Sequence, residues 1–176
     1  NFTDKMTDGT ALNHLMLPKL YVITTSSSAS ASELVINGLK PYITVKSVGK
    51  TTSGKYTASV TLYDSENFTR TGANPNHKWA IQPIVLQEKN KLGENSPTGF
   101  VPDVNLPEDF SNMGILGDIN EPMLARTISY ILTGSRFTDT SKIMEFPEIY
   151  NTKKEMPYGD NMYLQRNVPF DKIINQ

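Results

Sequence analysis

The most constraining feature of the sequence is a buried strand that runs directly into a helix and then into a second strand. In "KLYVITT" (19–25), β-branched and aromatic residues follow one another without polar alternation, which is typical of a buried strand. A serine-rich turn leads into "SASELVINGLKPY", a helical pattern that Pro41 stops. "TVKSVG" (44–49) then supplies the next strand. This order predicts a βαβ unit and an α/β fold.

Two more strands are predicted in the middle of the chain. "YTASVTLYD" (56–64) and "WAIQPIVLQEK" (79–89) are rich in β-branched and aromatic residues. Pro83 lacks a backbone N–H, so the second strand is expected at a sheet edge or a bulge. The segment 67–78 is a loop by its Gly, Pro and Asn content, and 90–110 is predicted to be an ordered surface loop. Trp79 is expected in the core or at a strand end.

The clearest helix is predicted for "EPMLARTISYILTG" (121–134). Pro122 suits the first turn of a helix, and Gly134 suits its end. The apolar stripe that should face the core comprises Leu124, Ile128, Ile131 and Leu132.

The composition removes several classes of function. Seventeen basic and 18 acidic residues leave a net charge of −1, so nucleic acid is not an expected partner. The chain has no cysteine and only two histidines, His14 and His77, which are too few for most histidine-built metal sites. No metal or cofactor is therefore expected. The longest apolar runs fall far short of the roughly 20 residues of a membrane helix, so no membrane span is expected.

The segment "VGKTTSGKYT" (48–57) fits the phosphate-loop pattern G-x-x-x-x-G-K through Gly49, Gly54 and Lys55. Such a loop needs a Ser or Thr after the lysine to bind magnesium, and it needs to open a helix. Here Tyr56 follows the lysine, and the next segment is a predicted strand. Nucleotide binding therefore remains only a remote alternative.

Ser30 lies where the first strand turns into the first helix. Ser30 and Glu33 have the spacing of a capping box, which predicts a structural role at the helix start. The same setting also suits a nucleophile, because the N–H of the next residue and the helix N-terminus can stabilise an oxyanion. A serine nucleophile needs a base, and a desolvated lysine can supply one.

Two motifs then resemble those of the C-terminal processing peptidases, also called tail-specific or tricorn-type serine peptidases. "ASASE" (29–33) matches the family's nucleophile motif, and "VGKTTSGK" (48–55) matches its V-G-x-x-T-x-G-K. Lys55 follows Ser30 by 25 positions, which is the family's spacing. "GFVPDVNL" (99–106) and "GDINEPMLARTISYI" (117–131) extend the resemblance over roughly residues 18–134.

The resemblance implies a serine endopeptidase with a crotonase/Clp-like βαβ core. Ser30 would be the nucleophile, Lys55 the general base, and the Ala31 N–H one oxyanion donor. Ser32 and Glu33 are expected to be helix-start residues. The substrate would be a protein or peptide, cleaved near its C-terminus, and an oligomer is compatible with the family. The resemblance also implies a periplasmic, cell-envelope or secreted location.

The sequence departs from the family in two respects. Members orient the lysine with an Asp 11 positions after the serine or a Gln four positions after the lysine, and Pro41 and Ser59 stand there. The third catalytic residue is therefore unassigned, and an impaired member that only binds peptides is an alternative.

The family's PDZ module and its second oxyanion donor precede the motif by more residues than stand before Ser30. The chain is therefore expected to be the C-terminal part of a larger peptidase. The expected domains are a linker (1–17), the catalytic part (18–134) and a C-terminal extension (135–176).

Overall fold

The computed structural model describes residues 3–135, 152–156 and 163–164, and the chain divides into two compact units. Unit 1 comprises Asn1–Gly54 and Lys89–Pro147, and unit 2 comprises Lys55–Glu88 and Glu148–Gln176. Within the described residues, no helix is long and apolar enough to cross a membrane. The same residues contain no group of three or more His, Cys, Asp or Glu side chains that could hold a metal ion.

The elements follow one another as β1 (Lys19–Thr24), α1 (Ala31–Leu39), β2 (Thr44–Gly49), β3 (Thr57–Val60), β4 (Leu62–Tyr63), β5 (Ala80–Ile81), β6 (Ile84–Gln87), β7 (Val104–Asn105), α2 (Pro122–Thr133), a 3₁₀ turn (Thr152–Glu155) and β8 (Tyr163–Leu164). In unit 1, β1, β2 and β7 form a parallel sheet in the order β1-β2-β7. β1 and β2 pair in register along their whole length, and α1 connects them. The predicted βαβ unit is therefore confirmed.

The core of unit 1 lies between the parallel sheet and α2. Its buried side chains are Val48, Val104, Leu106, Met123 and Tyr130. Tyr21 of β1 packs edge-on against Tyr130 of α2, with ring centroids 5.8 Å apart. Val104 and Leu106 are each 2% exposed, so the prediction that 90–110 is entirely a surface loop was wrong. Val104 instead pairs with Val48, and this pairing adds a third strand to the sheet.

Helix α2 has the predicted bounds but presents a different face to the core. Glu121 caps its start by accepting hydrogen bonds from two backbone N–H groups, Pro122 occupies the first turn, and Gly134 ends it in a left-handed conformation. The buried residues are Met123, Thr127 and Tyr130. Leu132, in the predicted stripe, is 79% exposed, so that stripe was wrong.

In unit 2 the two predicted strands are each divided. Segment 56–64 forms β3 and β4, and segment 79–89 forms β5 and β6, which are separated at Gln82 and Pro83. β6 is an edge of the sheet β6-β3-β8, and the β3–β6 register shifts between Ala58 and Ser59. The prediction of an edge or bulge at Pro83 is therefore confirmed. A separate antiparallel pair, β4–β5, carries the loop 64–79.

Candidate active site

Ser30 occupies a strained turn between β1 and α1. The turn after β1 is closed by hydrogen bonds between Thr25 and Ser28, and α1 begins at Ala31. Ser30 has φ 59° and ψ −115°, a left-handed backbone conformation that is unfavourable for a residue with a Cβ. Such a conformation costs on the order of 1–3 kcal/mol and is found mainly at functional sites. The turn therefore has the strained strand-to-helix geometry that presents a nucleophilic serine.

The Ala31 N–H is the predicted oxyanion donor. Ala31 is the first residue of α1 and is exposed. A first-turn N–H has no acceptor within its own helix, and it lies at the positive end of the helix dipole. The position of Ala31 is therefore compatible with that role.

Glu33 is the buried carboxylate that organises this turn. It is 3% exposed, and its Oε2 accepts from the Ser30 N–H at 3.0 Å. Its Oε1 accepts from the Thr52 hydroxyl at 2.6 Å and from the Gly54 N–H at 2.7 Å. A buried charge needs such donors to offset its lost hydration. The capping bond from Glu33 to Ser30 was predicted, but the bonds to Thr52 and Gly54 were missed.

The segment 50–54, called the motif loop below, is fastened to the turn before Ser30. Thr24 and Lys50 exchange two hydrogen bonds, in which the Lys50 N–H donates to the Thr24 carbonyl and the Thr24 hydroxyl donates to the Lys50 carbonyl. The Ser53 N–H donates to the Ser28 carbonyl at 2.8 Å. The two parts of the predicted motif therefore form one hydrogen-bonded assembly in unit 1.

A second set of bonds fastens the motif loop to segment 97–100. The Thr52 N–H donates to the Phe100 carbonyl, and the Phe100 N–H donates to the Thr52 hydroxyl oxygen at 2.7 Å. Thr52 Oγ1 thus accepts from Phe100 while it donates to Glu33. Thr52 therefore joins the helix start to segment 97–100.

The two glycines of the motif stand where the backbone leaves no room for a side chain. A Cβ on Gly49 would lie 1.8 Å from the Thr24 carbonyl oxygen. A Cβ on Gly54 would lie 2.3 Å from the Pro97 carbonyl oxygen, and Gly54 also has φ +81°. Gly54 therefore lies at a tight backbone turn that a side chain would obstruct. The segment after Lys55 is β3 and no helix, so the context that a phosphate loop needs is absent.

The predicted base, Lys55, is the first residue of unit 2 and follows Gly54 directly. Ser30 and Ala31 belong to unit 1. Lys55 is partly buried. The pairing of Ser30 with Lys55 stays a prediction.

The two family positions for an orienting residue hold no carboxylate or amide. Pro41 lies just beyond the end of α1, and Ser59 is 5% exposed in β3 of unit 2. Ser59 carries a hydroxyl that can bond to an amine. The third member of a catalytic set thus remains unassigned.

Asp103 binds two residues of β2. Its Oδ1 lies 2.6 Å from Lys46 Nζ, and its Oδ2 accepts from the Ser47 N–H at 2.9 Å. Both partners belong to β2, so Asp103 joins segment 99–106 to the middle strand of the sheet.

Comparisons with known proteins find one relevant similarity. No family model matches the chain, and no curated protein matches it. Among solved structures, the chain is similar to the "Putative S41 protease from Bacteroides fragilis NCTC 9343", with 28% sequence identity and a TM-score of 0.57. The match covers 72% of this chain and 30% of that chain, so this chain spans about a third of that protein's length. The similarity supports an S41 peptidase-like α/β fold, whereas the crotonase-like core stays a prediction.

Proposed function

We propose that the chain belongs to a serine peptidase and contributes Ser30 as its nucleophile and Lys55 as its general base. The observation that carries the proposal is the left-handed backbone of Ser30 directly before α1. A helix cap alone does not require this conformation, because Ser caps ordinarily have β-region angles. The S41 protease similarity supports peptide-bond hydrolysis as the reaction class.

The reaction would proceed through an acyl-enzyme. The Ser30 hydroxyl attacks the peptide carbonyl carbon while Lys55, as a neutral amine, takes its proton. The Ala31 N–H donates to the developing oxyanion. The tetrahedral intermediate collapses, and the leaving amine takes the proton from the Lys55 ammonium. Lys55 then deprotonates a water molecule that attacks the Ser30 ester, and the Lys55 ammonium returns that proton to the Ser30 oxygen as the acid is released.

Glu33 would act as a positioning residue in this scheme. Its carboxylate accepts from the backbone N–H of Ser30 and from that of Gly54, the residue before Lys55. The Glu33 side chain thus holds the backbone at Ser30 and at Gly54, the residue before Lys55. We expect that a change at Glu33 lowers the rate constant of acylation without removing the nucleophile.

The largest expected effect on activity comes from the two proposed catalytic residues. Ser30→Ala and Lys55→Ala should each lower the hydrolysis of an unstructured fluorogenic peptide by at least about a thousandfold, because each removes an essential step. The assay is made on the protein in which the chain occurs. Lys91→Ala, a loop lysine change outside the proposed site, is the matched control.

Acylation itself supplies a second readout. An activated peptide ester should add the mass of its acyl group to Ser30, as seen by mass spectrometry of the quenched protein. The Ser30→Ala variant should add nothing. Retained cleavage by either variant with a native circular dichroism spectrum would contradict the proposal.

A second candidate is a member that binds peptides without turnover, which Pro41 and Ser59 at the orienting positions favour. Acylation of Ser30 by the ester would exclude this candidate. Cleavage near substrate C-termini and a cell-envelope location also belong to the proposal. Cleavage products identified by mass spectrometry test the first, and cell fractionation tests the second.

A further inference from the structure

The β4–β5 hairpin of unit 2 carries a pocket that the proposed peptidase chemistry does not use. The pocket has a volume of about 250 Å³ and is lined mainly by apolar and aromatic side chains. Tyr63, Phe68, Trp79 and Ile81 contribute most of its large side chains, and Asp64 and His77 supply its polar groups. Trp79 is 82% exposed and directly precedes β5. Of the two positions predicted for Trp79, the strand end is confirmed and the core is wrong.

Hydrogen bonds link the polar groups of the pocket to one another. His77 Nδ1 accepts from the Trp79 N–H at 3.1 Å, and His77 Nε2 lies 3.1 Å from Asp64 Oδ2. The His77 ring therefore bridges the Trp79 backbone and the Asp64 carboxylate.

Asp64 is held as an anion whose second oxygen is open. Asn74 donates to Asp64 Oδ2 at 2.8 Å, and this bond, followed by the one from His77, lowers the pKa of the Asp64 carboxyl. Both bonds fall on Oδ2, and no hydrogen bond to Oδ1 is formed by the residues that the structure describes. The Asp64 side chain is 61% exposed, so Oδ1 can accept from a ligand.

The negative charge of Asp64 and the aromatic lining of the pocket together favour a cationic ligand. Aromatic faces attract a cation through their quadrupole, and a carboxylate at the same pocket adds a charged acceptor. An apolar lining also suits the methylene stem of a lysine or arginine side chain. Within the described residues β5 pairs only with β4, so its outer edge can pair with an extended peptide.

We propose that this pocket binds a lysine or arginine side chain of a basic peptide segment, with the ammonium or guanidinium group on Asp64 and the stem along Trp79. The pocket would then recruit basic segments through residues of unit 2, whereas Ser30 belongs to unit 1. The proposal does not depend on the proposed peptidase activity. A Ser30→Ala variant should therefore bind such a peptide as tightly as the unchanged chain.

Trp79 is the chain's single tryptophan, so its fluorescence reports on this pocket alone. The whole chain is titrated with a short synthetic peptide in which lysines alternate with alanines, and with its glutamate counterpart. We expect a saturable change with the lysine peptide, roughly tenfold tighter than any response to the glutamate peptide, and weakening as salt is added.

Two isosteric variants separate the pocket from general charge effects. Asp64→Asn should weaken binding of the lysine peptide by roughly tenfold and abolish the preference over glutamate. Asp118→Asn removes a carboxylate that also accepts from a neighbouring asparagine, but in unit 1, and should leave the binding unchanged. Calorimetry with Trp79→Ala tests the aromatic contribution without the fluorescence signal.

Three results would overturn the proposal. The first is equal affinity for the lysine and glutamate peptides, and the second is unchanged affinity in a folded Asp64→Asn variant. The third is a Trp79 emission that responds to neither peptide, as when the chain's own residues cover the pocket. Peptide cleavage is measured separately, so failure of the peptidase proposal is distinguishable from each of these results.

Discussion

The first turn of α1 and the β4–β5 hairpin each contain a carboxylate that accepts hydrogen bonds from a loop, yet the two carboxylates differ in burial. Glu33 is 3% exposed and binds two backbone N–H groups and a hydroxyl. Asp64 has a 61% exposed side chain and binds two side chains through one oxygen. Glu33 is therefore used internally, whereas Asp64 retains an oxygen for an external donor.

Burial determines whether a carboxylate holds the neighbouring backbone in place or stays available to a ligand. Each donor to Glu33 must stay in place, because a buried charge without partners is costly. This requirement makes the backbone around Ser30 rigid. Asp64 is solvated, so ligand contacts can replace water there with little change in the loop.

Glycine substitutions should give the largest contrast between the two regions. Gly54→Ala should lower the free energy of unfolding by about 3 kcal/mol or more, because its Cβ would collide with the Pro97 carbonyl oxygen at 2.3 Å. Gly72→Ala in the hairpin loop has a similar φ, +77°, but no atom within 4 Å, and should cost about 1 kcal/mol. Urea denaturation followed by circular dichroism measures both. Equal losses would mean that segment 97–100 does not confine the motif loop.

Substitutions at the two carboxylates, Glu33 and Asp64, should give a smaller difference in the free energy of unfolding. Glu33→Gln should lower the free energy of unfolding by about 2 kcal/mol, because one of the three donors must then face the amide NH₂ group. Asp64→Asn should leave it unchanged within the precision of the assay, since the group is solvated. The same denaturation assay compares them. A larger loss for Asp64→Asn would contradict the assignment of the two roles.

The strain at Ser30 should give the smallest effect. Ser30→Gly should be more stable than Ser30→Ala by about 1 kcal/mol, because glycine accepts φ 59° without a Cβ clash. Both variants lack the nucleophile and should be inactive. Thermal unfolding of the pair measures the difference. If alanine proves equal to glycine, the left-handed conformation is not strained.

Local sequence patterns were sufficient to predict the helices and strands whose signal lies within a single segment. The apolar run of β1, the stop at Pro41 and the strand 44–49 predicted the βαβ unit, and Pro122 and Gly134 predicted the ends of α2. β7 was missed because two residues beside Pro102 carry no strand pattern, and only pairing with β2 creates the strand. The face of α2 was misjudged because Tyr130 is buried through its contact with Tyr21, which is distant in sequence.

The candidate site shows the same limit. The motif spacing singled out Ser30 and Lys55, and the helix start singled out Ala31. The bonds from Glu33 to Thr52 and Gly54 span about twenty positions, and no local pattern announces them. The pocket at Asp64 was missed for the same reason, since His77 and Trp79 meet Asp64 only after the hairpin closes.

Unit 1 is made of two separate stretches of the sequence, Asn1–Gly54 and Lys89–Pro147, which are synthesised one after the other. β2 ends at Gly49, but its partner β7 and the Thr52 partner Phe100 emerge from the ribosome about fifty residues later. Closing such long-range contacts carries an entropic cost that is regained only once they form. A nascent chain that stalls before Phe100 would thus carry both motifs without the bonds that join Thr52 to Phe100. The support of the motif loop would be complete only after all of β3–β6 has been made.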